Sequence, residues 1–250
     1  MARKILLINP NITQAVTDLM TTEARLSARE DTEIHPETAR FGAEYIENRA
    51  EAAIAGHAVL DVLARNAGQY DAAIVAAFGD PGLSGAKEMM EIPVVGIAES
   101  AFLTAHALGR RYSILAVTKR LGTWFGECAE EHGLAGRLAA VRALDVPVSH
   151  ISNARAETGR LLVDLCHRTI EEDGAEVVIM GGGPIAGLAR EVAHEIPVPV
   201  LDGVSCAVRM AEMLIDLGPA KARIGSQARP PAKPTRGLSE ELARYMERRD

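Results

Sequence analysis

The chain alternates between short apolar runs and longer segments whose apolar residues recur at helical spacing. The runs Lys4–Ile8 and Ala72–Ala77 are bounded by turn residues, which predicts buried strands. Apolar residues in Asn48–Ala67 recur every three or four positions, which predicts a long helix. Because strand and helix patterns alternate along the chain, we expect an α/β fold with parallel sheets and crossover helices.

Two stretches of the chain resemble each other. Residues 74–83 read IVAAFGDPGL and are followed by IPVV at 92–95, while residues 178–188 read VIMGGGPIAGL and are followed by IPVPV at 196–200. Each copy predicts a strand, a Gly/Pro turn, a short helix and a second strand. The spacing of roughly 104 residues is longer than a solenoid repeat, so the duplication predicts two similar domains.

We predict a first domain formed by residues 1–99 together with 205–250, and a second formed by residues 100–204. The helix Val204–Leu217 is expected to return the chain to the first domain. A segment rich in proline, glycine and basic residues over 225–238 predicts an extended surface segment, closed by a short amphipathic helix Ser239–Arg249. Open α/β sheets bind ligands outside the carboxyl ends of their strands, which predicts a cleft between the domains.

Composition excludes several function classes. The 250 residues are 48% hydrophobic and 24% charged, as in ordinary globular proteins. A net charge of −7 argues against nucleic acid or an anionic membrane surface as partner. No apolar run approaches the roughly 20 residues of a membrane span, and the run after Lys4 is too short for a signal peptide, so we expect a cytoplasmic protein. The cysteines Cys128, Cys166 and Cys206 lack metal-ligand spacing, so we expect neither a disulfide nor a metal.

Three polar or glycine-rich segments follow predicted strands. The amides of Asn9-Pro10-Asn11 could bind a carboxylate or imide, or the loop could be a simple turn. Asp80 could cap the next helix with Pro81 at its first position, or the N–H groups there could bind an anion. The glycines of 181–183 allow close approach of a ligand, or of a packed helix, but do not match a dinucleotide fingerprint or a P-loop.

Two carboxylates follow the paired IPV segments. Asp202 most simply caps the helix that begins at Val204. Glu99 lies at the junction of the two predicted domains, where it could act in proton transfer or in a hinge salt bridge.

The motifs NPN at 9–11, FGDPGL at 78–83 and PVVGI at 93–97, with Thr118 and AGL at 186–188, resemble the aspartate/glutamate racemase superfamily. The resemblance covers nearly the whole chain and is closest to the hydantoin and allantoin racemases. It implies two Rossmann-like domains related by a pseudo-twofold axis, with the substrate between them and no metal or organic cofactor. In that family one thiolate takes the proton from the chiral carbon, and a second thiol delivers a proton to the opposite face.

The resemblance places the two family cysteines at Ala77 and Gly182, neither of which can carry a proton. Asp80 and Glu99 are therefore the candidate acid/base residues. The resemblance and the loops together give the following candidate substrate-binding residues: Asn9, Pro10, Asn11, Ala77, Phe78, Gly79, Thr118, Gly182, Gly183 and Pro184.

We expect a cofactor-independent enzyme that transfers a proton on a small carboxylate, cyclic imide or ureide, with chemistry altered by the loss of both thiols. One alternative is a non-catalytic small-molecule binding protein on the same scaffold. Another is a lyase resembling arylmalonate decarboxylase. Since closed oligomers are common among such folds, we also expect a homo-oligomer.

Overall fold

The computed structural model describes residues 2–144 and 155–248. The first half contains these elements: β1 (Arg3–Asn9), α1 (Gln14–Ser27), β2 (Thr32–Thr38), α2 (Arg49–Arg65), β3 (Ala72–Val75), α3 (Leu83–Met89) and β4 (Val94–Gly96). The remainder contains α4 (Ile97–Leu108), β5 (Tyr112–Ala116), α5 (Lys119–Glu131), β6 (Leu138–Ala143), α6 (Arg155–Asp173), β7 (Val177–Met180), α7 (Leu188–Val192), β8 (Val200–Asp202), α8 (Gly203–Leu217) and α9 (Glu240–Glu247). Asn153, which the sequence suggests as a helix cap, lies outside the described residues.

The strands form two four-stranded sheets, ordered β2-β1-β3-β4 and β6-β5-β7-β8, and every pairing is parallel. This confirms the predicted α/β fold, and the identical strand order explains the duplicated sequence pattern. The central strands β3, β5 and β7 are buried throughout, and β1 is buried from Ile5 onward, because helices cover both faces of each sheet. Ile8 pairs with Val75, and Leu115 with Met180, so the loops after these strands leave at the carboxyl edge of each sheet.

Two helices exchange places between the sheets. Helix α4 follows the first sheet but packs against β7, β8 and α5, whereas α8 follows the second sheet but packs against β1, β3, β4 and α1. The two helices also pack against each other. A large hydrophobic cluster therefore runs through both halves, and a smaller one joins β3 and β4 to α2, α3 and α9. The division at residues 99/100 and 204/205 stays a prediction.

One predicted helix start was wrong, and one candidate site residue lies inside a helix. Helix α3 begins at Leu83 rather than Pro81, because Asp80 and Gly82 have positive φ angles of +47° and +77°, which are incompatible with a right-handed helix. Helix α4 begins at Ile97, so Glu99 lies in its first turn and not in a loop after a strand. In the described ranges 2–144 and 155–248, no helix combines the length and apolarity that crossing a membrane requires.

Candidate functional site

A cavity of about 50 Å³ lies where the carboxyl edges of the two sheets meet. Both halves of the molecule contribute to its walls, which are mostly apolar. The lining residues are Asn11, Val16, Tyr45, Ile46, Glu47, Ala76, Ala77, Phe78, Val117, Leu121, Phe125, Gly182, Gly183 and Pro184. Six of the ten residues predicted to bind substrate are therefore brought together here: Asn11, Ala77, Phe78, Gly182, Gly183 and Pro184.

In the loop after β1, Asn11 lines the cavity, and the Asn9 amide holds Asn11 in place through hydrogen bonds. Asn9 is fully buried, and its Nδ2 donates to Asn11 Oδ1 at 2.9 Å and to Thr17 Oγ1 at 2.9 Å. Asn11 Oδ1 also accepts the Thr13 backbone N–H at 2.9 Å. Since these bonds occupy the Asn11 oxygen, and no described residue accepts from its Nδ2, the NH₂ group remains available for a ligand. Asn9 and Pro10 are buried but do not line the cavity.

The loop after β3 divides its residues between the cavity and the protein interior. Ala77 and Phe78 line the cavity, whereas Gly79 and Asp80 do not. Gly79 has φ +117°, and a Cβ there would lie 2.6 Å from the Trp124 ring, so glycine is required for packing as well as for backbone conformation.

The Asp80 carboxylate accepts the Ala98 and Glu99 backbone N–H groups at 3.0 and 2.7 Å and lies 3.2 Å from His132 Nε2. It therefore caps α4, and the expectation that it caps the helix after Pro81 was wrong. Burial raises the pKa of Asp80, and these hydrogen bonds act in the opposite direction. Beside this carboxylate, the pKa of His132 is raised.

The three glycines after β7 have different roles. A Cβ at Gly181 would lie 2.9 Å from the Phe125 ring, and one at Gly183 would lie 2.9 Å from Met20 Sδ on α1. A Cβ at Gly182 would meet nothing nearer than 3.8 Å, but φ is +128° there. Close packing thus explains Gly181 and Gly183, while Gly182 leaves open space at the cavity.

Two other predicted site residues do not line the cavity. Glu99 forms an ion pair with Lys87. Thr118 is the N-cap of α5, and its hydroxyl accepts the Leu121 N–H at 3.2 Å. Thr118 lies after β5 and Glu99 in the first turn of α4, and both side chains are engaged in local structure.

Sequence reasoning missed Tyr45, Ile46 and Glu47, which line the cavity from the segment between β2 and α2. The signal was present: Asn48 caps α2, and Glu51 follows three residues later as in a capping box. Because that segment joins the end of a parallel strand to a helix, it had to lie at the carboxyl edge of the first sheet.

Backbone N–H groups of described residues around the cavity are also available as hydrogen-bond donors. Within the described residues, no acceptor is bonded to the N–H of Ala77, Phe78, Gly182 or Gly183. All four residues line the cavity, two from each half. Together with the Asn11 amide, they give a largely apolar site a set of donors suited to carbonyl or carboxylate oxygens.

Comparison with known proteins shows the family. A model of the Asp/Glu/hydantoin racemase family matches residues 5–211. A hydantoin racemase from Pseudomonas sp. (strain NS671) is 31% identical over 242 residues, which cover 96% of this chain and 97% of that protein. The chain belongs to the Asp/Glu/hydantoin racemase family.

Two solved structures resemble this member of the family over nearly their whole length. An allantoin racemase from Klebsiella pneumoniae has a TM-score of 0.92 at 35% identity and covers 96% of this chain and 99% of its own. An allantoin racemase from Pseudomonas fluorescens has a TM-score of 0.90 at 35% identity, covering 94% of this chain and 100% of its own. The chain is thus similar to hydantoin racemases in sequence and to allantoin racemases in both sequence and fold.

In the described part of this racemase-family protein, one group of side chains outside the cavity has donor atoms close enough to hold a metal ion. Donor atoms of Asp80, Cys128 and His132 lie within 4.8 Å of one another, a cluster that the spacing of the cysteines did not predict. Burial raises the pKa of the Cys128 thiol, and metal binding requires the thiolate. Because Asp80 already caps α4, the arrangement fits an Asp80–His132 ion pair beside a neutral thiol better than a metal centre.

Proposed function

We propose that the protein is an enzyme that binds a small cyclic imide or ureide, of the hydantoin or allantoin type, in the cavity between the two sheets. The enzyme would transfer a proton at a carbon beside a ring carbonyl, and it would need no cofactor. The observation that supports it best is the set of unused donors, namely the Asn11 amide and four backbone N–H groups from both halves. The names of the hydantoin and allantoin racemases among its relatives support the same ligand class.

The donors suit this chemistry because charge moves to oxygen when the proton leaves carbon. Removing a proton beside a carbonyl produces an enolate, whose oxygen gains negative charge. Preorganised N–H donors stabilise such an oxygen without reorganisation, and apolar walls strengthen the interaction by excluding water. The aliphatic and aromatic walls would pack against the faces of a small planar ring.

The chemistry should differ from two-thiol racemisation. The resemblance places the family cysteines at Ala77 and Gly182, and both positions line the cavity without an ionisable group. One general acid or base contributes on the order of 10²–10⁴ in rate, so loss of both leaves little of the original reaction.

The absence of both thiols also favours a second candidate function, that of a non-catalytic protein that binds the ureide. The lyase alternative has no separate support.

Deuterium exchange in heavy water separates the two candidates. We expect single enantiomers of allantoin and of a 5-substituted hydantoin to raise the melting temperature, and the protein to accelerate incorporation of deuterium at the chiral carbon. Asn11→Ala should weaken binding roughly tenfold, as expected for one lost hydrogen bond. Binding without accelerated exchange would support the binding protein and contradict the enzyme.

We also propose that the reaction requires no metal or organic cofactor. Exchange should be unchanged after dialysis against a chelator, because the donors that stabilise the enolate are amides of the chain. We further propose a homo-oligomer in the cytoplasm. Light scattering of the purified protein tests the oligomer, and fractionation of the source cells tests the location.

A further inference from the structure

Among the described residues that line the cavity, Glu47 is the one that carries a carboxylate. Tyr45 is the other ionisable residue of that lining, and carboxylates serve as general bases more often than phenols. The remaining lining side chains are apolar, apart from the Asn11 amide. A base for proton transfer must therefore be sought first at Glu47.

The backbone around Glu47 is held firmly in place. Its N–H donates to a Glu51 carboxylate oxygen at 2.7 Å. Two residues of the β1–α1 loop bind the preceding part of the segment: the Ile12 N–H donates to the Ala43 carbonyl at 3.1 Å, and Thr13 Oγ1 donates to the Glu44 carbonyl at 2.6 Å. Glu47 is thus positioned beside the loop that carries Asn11.

The Glu47 carboxylate is also uncommitted. No hydrogen bond or ion pair joins it to another described residue, although its backbone N–H is bonded. Three other carboxylates near the strand ends have partners: Asp80 and Asp202 cap helices, and Glu99 pairs with Lys87. A carboxylate in a cleft that serves no structural bond is available for chemistry.

We infer that Glu47 is the general base of this site and replaces the thiolate of its relatives; the inference rests on the proposed function. A Glu47 carboxylate oxygen takes the proton from the chiral carbon as that C–H bond breaks. The electron pair moves to the neighbouring carbonyl oxygen, where the amide donors stabilise the enolate. The carboxylic acid then returns a proton to carbon and is a carboxylate again, so the step needs no other reactant.

A single base has a stereochemical consequence. Two thiols on opposite faces invert the carbon, whereas one carboxylate removes and returns the proton on the same face. The proton on Glu47 can exchange with solvent while the enolate is bound. Deuterium should therefore enter the substrate faster than its configuration inverts, a result that two-thiol catalysis would not give.

The test compares Glu47→Gln, Glu47→Ala and a matched control, Glu44→Gln. Glu44 lies in the same segment, is exposed, and holds its contact through its backbone carbonyl. Exchange on single enantiomers of allantoin should fall about 10²–10⁴-fold in both Glu47 variants and stay unchanged in the control. Added formate should partly restore the Glu47→Ala variant, because a small carboxylate can occupy the vacated space.

The outcomes distinguish this inference from the function on which it rests. If the unaltered protein accelerates exchange and Glu47→Gln does so equally well, the base is another group and only the inference fails. If the unaltered protein binds allantoin without exchange, the proposed enzymatic function fails together with it. Loss of exchange without formate rescue, accompanied by weaker binding, would mean that Glu47 holds the ligand and is not the base.

Discussion

At the scale of single residues, two positions explain how this site differs from a two-thiol racemase. Ala77 is not among the described residues with a positive φ angle, and it lines the cavity. Gly182 also has open space beside it, but its φ of +128° is one that side chains rarely adopt. Reintroducing a thiol at Gly182 therefore requires a change of backbone as well as of side chain.

We predict that Ala77→Cys and Gly182→Cys differ in stability. Ala77→Cys should change the free energy of unfolding by less than about 1 kcal/mol, because it adds one atom beside an existing cavity. Gly182→Cys should cost about 1–3 kcal/mol from backbone strain. Urea denaturation of both variants measures the difference; equal stabilities would show that the turn relaxes without cost.

The glycines also show what can be predicted at this scale. The composition of residues 181–183 predicts close approach, but not that Gly181 faces Phe125 and Gly183 faces Met20. Those partners lie far away in sequence, on α5 and α1. Asn11 could be identified because its loop directly follows a strand, whereas for Glu47 the Asn48–Glu51 capping box indicates only the position of its segment at the sheet edge and not its part in the cavity.

At the scale of secondary-structure elements, the two halves cap equivalent helices in different ways. Gly96 pairs with Val75, and Asp202 pairs with Met180, so residues 96 and 202 are equivalent in the two sheets. Asp202 Oδ1 accepts the Val204 N–H of its own helix at 2.8 Å, as the sequence predicts. Residue 96 is a glycine and has no side chain. The Asp80 carboxylate occupies the space that a side chain would fill, and it caps α4 instead.

We predict that Gly96→Ala is strongly destabilising. The added methyl group would overlap the Asp80 carboxylate and displace it from the N-terminus of α4. The expected loss is about 2–3 kcal/mol, from overpacking and the lost cap together. Gly85→Ala is the control: it lies inside α3, its Cβ would be 3.8 Å from Leu60, and alanine should stabilise the helix by up to about 1 kcal/mol. Similar melting temperatures for the two variants would contradict this account.

At the scale of the whole molecule, ionic contacts join the two halves around the cavity. His132, the C-cap of α5, meets Asp80 of the β3–α3 loop, and Arg49 of α2 pairs with Glu127 of α5. The Asp80–His132 contact is the more protected pair, since the carboxylate side chain is 2% exposed. Because α5 also contributes residues to the cavity wall, the Asp80–His132 pair fixes that wall relative to the first half of the molecule.

We predict a pH-dependent contribution from His132. Its pKa is raised in the folded protein, so its stabilisation is complete below the ordinary histidine pKa of about 6.5 and is lost as the pH rises through the raised value. His132→Gln should therefore cost about 1–3 kcal/mol near pH 6 and less near pH 9.

The matched control for this prediction is His194→Gln, whose side chain is 76% exposed. It should leave the free energy of unfolding unchanged at both pH values. Denaturant unfolding across the pH range gives the comparison. A His132→Gln cost that does not vary with pH would show that packing, and not the ion pair, is responsible.

The sequence by itself determined the α/β fold and the local features of the site. Apolar runs and helical periods depend on neighbouring residues, so they were sufficient for the strands, the duplicated topology and the capping role of Asp202. The same sequence patterns also placed Asn11, Ala77, Phe78 and the glycine turn at the ends of strands. Only the tertiary structure decided that Asp80 caps α4, that α4 and α8 exchange sheets, and that Glu47 joins the cavity. Those features depend on contacts between distant segments, which a linear pattern does not record.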